Sequence, residues 1–144
     1  MRPPWALSEA DFIDACTRCG DCVRACPQRV LGVGDGGFPE VVAAAGECTF
    51  CGDCVDLCQP RALQRTSARA WHWRAEIGQD CLTHAGVVCQ SCRDACPTGA
   101  IRFAASAAVA QPLLQADHCT ACGACVPLCP AQAIQLRADA GAPA

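Results

Sequence analysis

Sixteen of the 144 residues are cysteines, and they fall into four groups of four. The groups are Cys16, Cys19, Cys22 and Cys26; Cys48, Cys51, Cys54 and Cys58; Cys81, Cys89, Cys92 and Cys96; and Cys119, Cys122, Cys125 and Cys129. The first, second and fourth read C-x2-C-x2-C-x3-C, whereas the third reads C-x7-C-x2-C-x3-C, five residues longer between its first two members. Proline directly follows the last cysteine of groups one, three and four (Pro27, Pro97, Pro130) and comes one residue later in group two (Pro60). This is the spacing that holds cubane 4Fe-4S clusters.

Three thiolates two residues apart on a curled loop can reach three irons of one cube, but the same loop cannot turn back to the fourth. A distant cysteine must close the cage, and in two-cluster proteins it is the fourth cysteine of the other motif. The reading therefore expects all sixteen thiolates as ligands of four clusters, with the stretched third group the least regular. Gly20, Gly52, Gly123 and Ala124 leave room for backbone amides to approach the inorganic sulfides. Which groups pair stays open: the intervals between them are 21, 22 and 22 residues. One with two and three with four is the simpler topology, and one with four and two with three is the nested alternative.

Two other uses of so many thiols fit less well. A disulfide framework needs an oxidising compartment, for which the sequence carries no signal. Structural zinc favours two C-x2-C pairs set well apart. His72, His84 and His118 are surplus to groups that already offer four thiolates each, and read as solvent-facing.

The elements that must carry these loops are small. At about 11% cysteine, with seven aromatic residues and no tyrosine, the chain has little with which to fill a large interior, so metal must replace much of a core. Val30-Leu31-Gly32-Val33 and Phe38-Pro39-Glu40-Val41-Val42 flank a glycine turn and predict two short strands, and Ala100–Phe103 with Leu113-Leu114 predict a matching pair. Each motif is expected to supply a cluster loop, a turn or two of helix and a strand. Ala104–Ala110 is compatible with either loop or helix. The stretch Arg61–Arg74, with four arginines at near-helical spacing and two tryptophans, is the best boundary. It reads either as a docking surface or as a cover over clusters with a solvated face. The expected fold is α+β: tandem bacterial-ferredoxin-like modules with a small core, 1–66 carrying motifs one and two and 67–144 carrying motifs three and four.

A net charge of -3, with eleven arginines and no lysine, gives nothing for a phosphate backbone to meet, so no nucleic-acid partner is expected. No apolar run approaches a membrane span, and Met1–Trp5 lacks the apolar core of a signal peptide. A cytoplasmic chain is expected. No nucleophile elbow, paired carboxylates or phosphate loop appears, so the chain is not expected to be an enzyme.

Segments outside the cysteines sharpen the reading. Arg2-Pro3-Pro4-Trp5, Glu47-Cys48-Thr49-Phe50-Cys51, Arg69-Ala70-Trp71, Ile77-Gly78 and the stretched third group together resemble the NapF family, ferredoxin-type accessory proteins of the periplasmic nitrate reductase system. The resemblance spans almost the whole chain. It implies a cytoplasmic iron-sulfur protein whose partner is the catalytic subunit of periplasmic nitrate reductase, met before export and helped to acquire its own cluster. The alternative is a ferredoxin-type electron carrier. Some members carry a basic arm with paired arginines ahead of the Arg-Pro-Pro-Trp segment; this sequence begins at that segment, and no role of such an arm is expected.

Overall fold

The computed structural model describes residues 1–66, 69–104 and 109–139. Four short helices and six short strands stand between the cysteine loops: α1 (Glu9–Ala15), α2 (Asp21–Ala25), β1 (Leu31–Val33), β2 (Pro39–Val41), α3 (Asp53–Asp56), β3 (Trp73–Ile77), α4 (Ser91–Ala95), β4 (Ile101–Ala104), β5 (Gln111–Leu114) and β6 (Ile134–Ala138).

Both expected hairpins form. β1 and β2 pair antiparallel with Leu31 opposite Val41, and Gly36 and Gly37 take the positive φ that turns the chain between them. β4 and β5 pair with Ile101 opposite Leu114. Pro39 and Pro112 are tolerated because each sheet among the described residues has two strands, leaving an edge where a missing N–H breaks no ladder.

A third pair departs from the expectation. The end of the arginine-rich stretch is not helical but enters β3, which pairs antiparallel with β6, Ile77 opposite Ile134 and Trp73 opposite Ala138. Alternation decides it: Ala75 is buried, while Arg74 and Glu76 point away and pair with Asp139 and Arg137 at 3.1 and 3.0 Å. The N-terminal half repeats this pairing in reduced form. Ala6 bridges Leu63, Leu7 N–H donates to the Ala62 carbonyl at 3.1 Å, and Gln64 N–H donates to the Trp5 carbonyl at 2.8 Å. Pro3 and Pro4, with no N–H to give, stop the ladder from extending.

Helix α1 was not anticipated. Ser8 caps it, accepting from Asp11 N–H, and Phe12 on its inner face is wholly buried. Arg2 lies over the Phe12 and Phe38 rings at 5.1 and 5.0 Å and pairs with Glu9 at 2.6 Å, tying the N-terminus to α1 and the first hairpin. Motif four departs in the other direction. In α2, α3 and α4 the N–H of Arg24, Asp56 and Asp94 reaches back four residues to Gly20, Gly52 and Gln90. Pro127 holds that position after Gly123 and has no N–H, so only turns form there.

Two apolar clusters result, one around Phe12, Leu31 and Leu63 and one around Ala75, Ile101 and Ile134, and cysteines are built into both. The junction expected between 66 and 67 falls at Ser67, outside the described residues, as do 105–108 of the Ala104–Ala110 stretch. No helix among the described residues is long and apolar enough to cross a membrane.

With cores this small, metal-ligand energy must stand in for apolar burial; zinc peptides set the scale at about 10 kcal/mol per site. Iron-free protein is therefore expected to show no cooperative thermal transition by circular dichroism, and the iron-loaded protein a clear one.

Candidate iron-sulfur centres

Each of the four groups sends its last cysteine to a neighbour. Cys26 lines a cavity with Cys48, Cys51 and Cys54. The Cys22 thiol, in return, lies in the field of Cys58, Cys16 and Cys19. In the C-terminal half Cys96 lines a cavity with Cys119, Cys122 and Cys125, and Cys129 lines one with Cys81, Cys89 and Cys92. Groups one and two therefore exchange fourth thiols, as do groups three and four. In the nested alternative Cys129 would stand with the first group; here it stands with the third. We call the four quartets I (Cys16, Cys19, Cys22, Cys58), II (Cys48, Cys51, Cys54, Cys26), III (Cys81, Cys89, Cys92, Cys129) and IV (Cys119, Cys122, Cys125, Cys96).

The local backbone explains how three thiols face one way. Arg18, Phe50 and Ala121, each just before the second cysteine of its motif, have φ of 59°, 55° and 58°; the glycines just after it, Gly20, Gly52 and Gly123, have φ of 76°, 93° and 88°. Two left-handed residues flanking the second cysteine curl the loop around a centre. Motif three lacks this pair, since Gln90 sits at φ -135°. Its longer loop is anchored differently: Thr83, 2% exposed, donates to Gln111 Oε1 at 3.1 Å and lies 3.3 Å from the Cys81 sulfur.

A second repeat was not read from the sequence. Three residues after each fourth cysteine the chain again turns left-handed, at Arg29, Arg61, Gly99 and Gln132, and each of these N–H groups donates to the carbonyl of its own fourth cysteine at 3.0 to 3.2 Å. The following amide is thereby aimed at sulfur: Ala100 N–H reaches Cys96 Sγ at 3.2 Å and Ala133 N–H reaches Cys129 Sγ at 3.3 Å. Phe50 and Ala75 N–H donate to Cys48 and Cys119 Sγ, both at 3.4 Å. Such bonds stabilise thiolate over thiol. At Cys96 the Thr98 hydroxyl and these amides together outweigh desolvation and hold that thiol below its ordinary value. At five other thiols burial wins. It pushes Cys22, Cys48 and Cys92 up to about 11 and Cys54 and Cys125 to about 12, and neighbouring thiolates add to the rise. Crowded, desolvated thiols of this kind hold their protons until a cation displaces them.

The arginines take up fixed places. Arg24 donates to the Cys19 carbonyl at 3.1 Å and Arg65 to the Cys51 carbonyl at 2.9 Å, each lying over the glycine that follows; Arg69 donates to the Cys119 carbonyl. Trp71 lines the cavity of quartet II and is 6% exposed, its ring against Phe50 at 5.2 Å and its Nε1–H on the Arg2 carbonyl at 3.1 Å. His84 lies outside the quartets, against the Gln79 carbonyl.

The donor set suits a polynuclear iron-sulfur guest. Among the described residues no three His, Cys, Asp or Glu side chains converge as they would on a single ion. In quartets II, III and IV the thiols instead line cavities with apolar walls, and amides are directed at the sulfurs of Cys48, Cys96, Cys119 and Cys129, which suits the sulfides of a cubane.

Residues 15–63 and 87–133 each match a family described as a 4Fe-4S dicluster domain. Ferredoxin-type protein NapF of Haemophilus influenzae is 46% identical over 138 residues, spanning 95% of this chain and 78% of that protein. The chain belongs to the NapF family of ferredoxin-type proteins. NapF of Escherichia coli K12 is 38% identical over 135 residues, spanning 93% of this chain and 82% of its own. Methylamine utilization ferredoxin-type protein MauM of Methylorubrum extorquens is 33% identical over 150 residues, spanning 90% and 67%. This NapF-family chain is thus a ferredoxin-type iron-sulfur protein with two dicluster domains. The second match begins after Cys81, the thiol that the longer loop brings to quartet III.

Gly52 joins several of these features, because a Cβ there would overlap the Arg65 guanidinium and the residue sits at φ +93°. Gly52→Ala is expected to lose about 1 kcal/mol from left-handed backbone strain alone, and to release Arg65 from the Cys51 carbonyl. Arg65→Ala releases only the clip. Both variants should bleach earlier than wild type in a guanidinium titration followed by visible absorbance, Gly52→Ala the earlier of the two.

Proposed function

We propose that the protein carries four 4Fe-4S clusters, one in each quartet, within modules assigned to 1–66 and 67–144. All sixteen cysteines serve as ligands, the fourth of each motif on its partner's cluster. The observation that carries this reading is the reciprocal placement of Cys26 and Cys58, and of Cys96 and Cys129, beside the three thiols of the opposite motif. When bound, each cluster supplies a one-electron store that changes charge without making or breaking covalent bonds to the protein. The chain's own part is to hold the thiolates in place, keep water from quartet II with Trp71 and Phe50, and balance cluster charge with arginine. Four oxidised clusters would take the formal charge from -3 to roughly -11.

Kinship with NapF supports a role in the periplasmic nitrate reductase system. In this reading the protein meets the catalytic subunit in the cytoplasm before export and assists it in acquiring its own 4Fe-4S cluster, acting as an accessory factor and not as an enzyme. The alternative is electron carriage, and one contact favours it: Cys48 N–H donates to the Cys122 carbonyl at 2.7 Å, bringing quartets II and IV together across the two halves.

Anaerobically prepared protein is expected to contain iron and sulfide for about four cubanes; four zinc ions per chain would refute the reading. Cys58→Ala should damage the cluster at Cys16, Cys19 and Cys22, and Cys26→Ala the one at Cys48, Cys51 and Cys54, as resolved by electron paramagnetic resonance of the reduced protein. Mixed with the apo catalytic subunit, the loaded protein should form a complex and pass iron to it. Complex formation without iron transfer, together with reversible reduction of every cluster, would favour the carrier.

A further inference from the structure

The exchange of fourth thiols explains why quartet I lies beside II and quartet III beside IV, but not why the two halves meet where they do. Among the described residues, one backbone hydrogen bond joins a thiol-bearing residue of one half to a thiol-bearing residue of the other: Cys48 N–H to the Cys122 carbonyl, 2.7 Å. The approach is built for closeness. Gly123, at φ +88°, faces the Gly46 carbonyl so closely that an added Cβ would stand 3.1 Å from that oxygen, with Ala43 just beyond. Within the second half the Arg69 guanidinium rests on the Cys119 carbonyl, fixing the loop that carries Cys122. Trp71 and Phe50 cover the Cys48 side.

We propose that Cys48 and Cys122 form an electron bridge between the halves, making the four centres one relay in the order I, II, IV, III. The inference rests on the four-cluster reading above. From Cys48 Sγ the path runs through that residue's own Cβ, Cα and N–H, across the hydrogen bond, and through the Cys122 carbonyl carbon, Cα and Cβ to its sulfur. No through-space gap interrupts it, and electron tunnelling through bonded atoms falls off less steeply than tunnelling across a void. One electron crosses at a time; the centre it leaves is oxidised by one and the centre it enters is reduced by one, with no proton moved and no bond changed. Quartets I and III become the two ends, so a donor and an acceptor can dock on opposite halves of the molecule at once.

The test begins by counting iron in the wild-type protein. A value near eight irons, or stoichiometric zinc, overturns the four-cluster reading itself; about sixteen leaves the bridge to be judged separately. A variant that keeps only the inner centres, with Cys16→Ala, Cys19→Ala, Cys89→Ala and Cys92→Ala, is then reduced with excess dithionite. It should retain about eight irons and give a paramagnetic resonance signal broadened by interaction between two reduced clusters. Two sharp, independent signals at that iron content would overturn the bridge. Since this variant removes ligands and could fail to fold, Gly123→Val in the otherwise intact chain provides the second measurement. It is mixed with limiting dithionite and followed by rapid-freeze resonance. With iron content unchanged, redistribution of electrons between the halves should split off as a separate slow phase absent from wild type. Redistribution as fast as in wild type would overturn the proposal.

Discussion

A loop curled tightly enough to offer three thiols two residues apart presents them toward one side of a cage, and the fourth must come from elsewhere in the chain. In this protein it comes from the motif's own partner, so neither member of a pair can be complete alone. Much of the rest follows from that demand. Helices α2, α3 and α4 are only as long as needed to carry a fourth cysteine out of its own loop, and the left-handed residue three positions later returns the chain toward a strand. The two-stranded sheets are what remains to hold each pair of loops in register. Apolar burial is secondary: cysteines belong to both clusters of buried residues, and the largest side chain among them, Phe12, comes from a helix outside the motifs.

Sixteen thiolates in so small a volume create an electrostatic problem that the backbone and the arginines share. Amides are aimed at sulfur at Cys48, Cys96, Cys119 and Cys129, and at Cys96 such bonds join the Thr98 hydroxyl in favouring the ionised form. Burial of the third cysteine in every motif opposes it. The arginines respond to the same excess of negative charge through carbonyls, not through sulfur. Arg24, Arg65 and Arg69 each rest on the carbonyl of a loop cysteine, so positive charge stands at the rim of the loops while the sulfurs stay free to meet a metal. Arg65 and Arg69 are fasteners, and Trp71 is a cover.

The spacing of the cysteines made the four thiol groups legible, and the glycine turn between apolar runs made both hairpins legible, because each signal is local. The pairing of motifs was not, since intervals of 21, 22 and 22 residues treat every neighbour alike. Strand β3 was hidden by its company. Its alternation starts at Trp73, inside a run whose arginine spacing reads as helical, and its partner β6 lies near the far end of the chain. Motif four carried a readable warning in Pro127, which occupies the donor position that the other three motifs use to close a helical turn. The left-handed positions are a different matter. Arg18, Phe50, Ala121, Arg29, Arg61 and Gln132 have side chains with no preference for positive φ, so only the shared offset from a cysteine could have marked them. Gly99, at the same offset in motif three, is the one conventional sign.

Trp71 closes a cavity of the N-terminal half, yet in the chain it stands immediately ahead of β3, whose partner is the last strand made. The tryptophan itself is tied to the N-terminal half, its Nε1–H on the Arg2 carbonyl and the neighbouring Ala70 carbonyl accepting from Trp5 N–H. Two residues later the same backbone is tied to Ile134–Ala138. The cover of one half and a strand of the other are therefore one uninterrupted stretch of chain, so a displacement of the strand is felt at the cover.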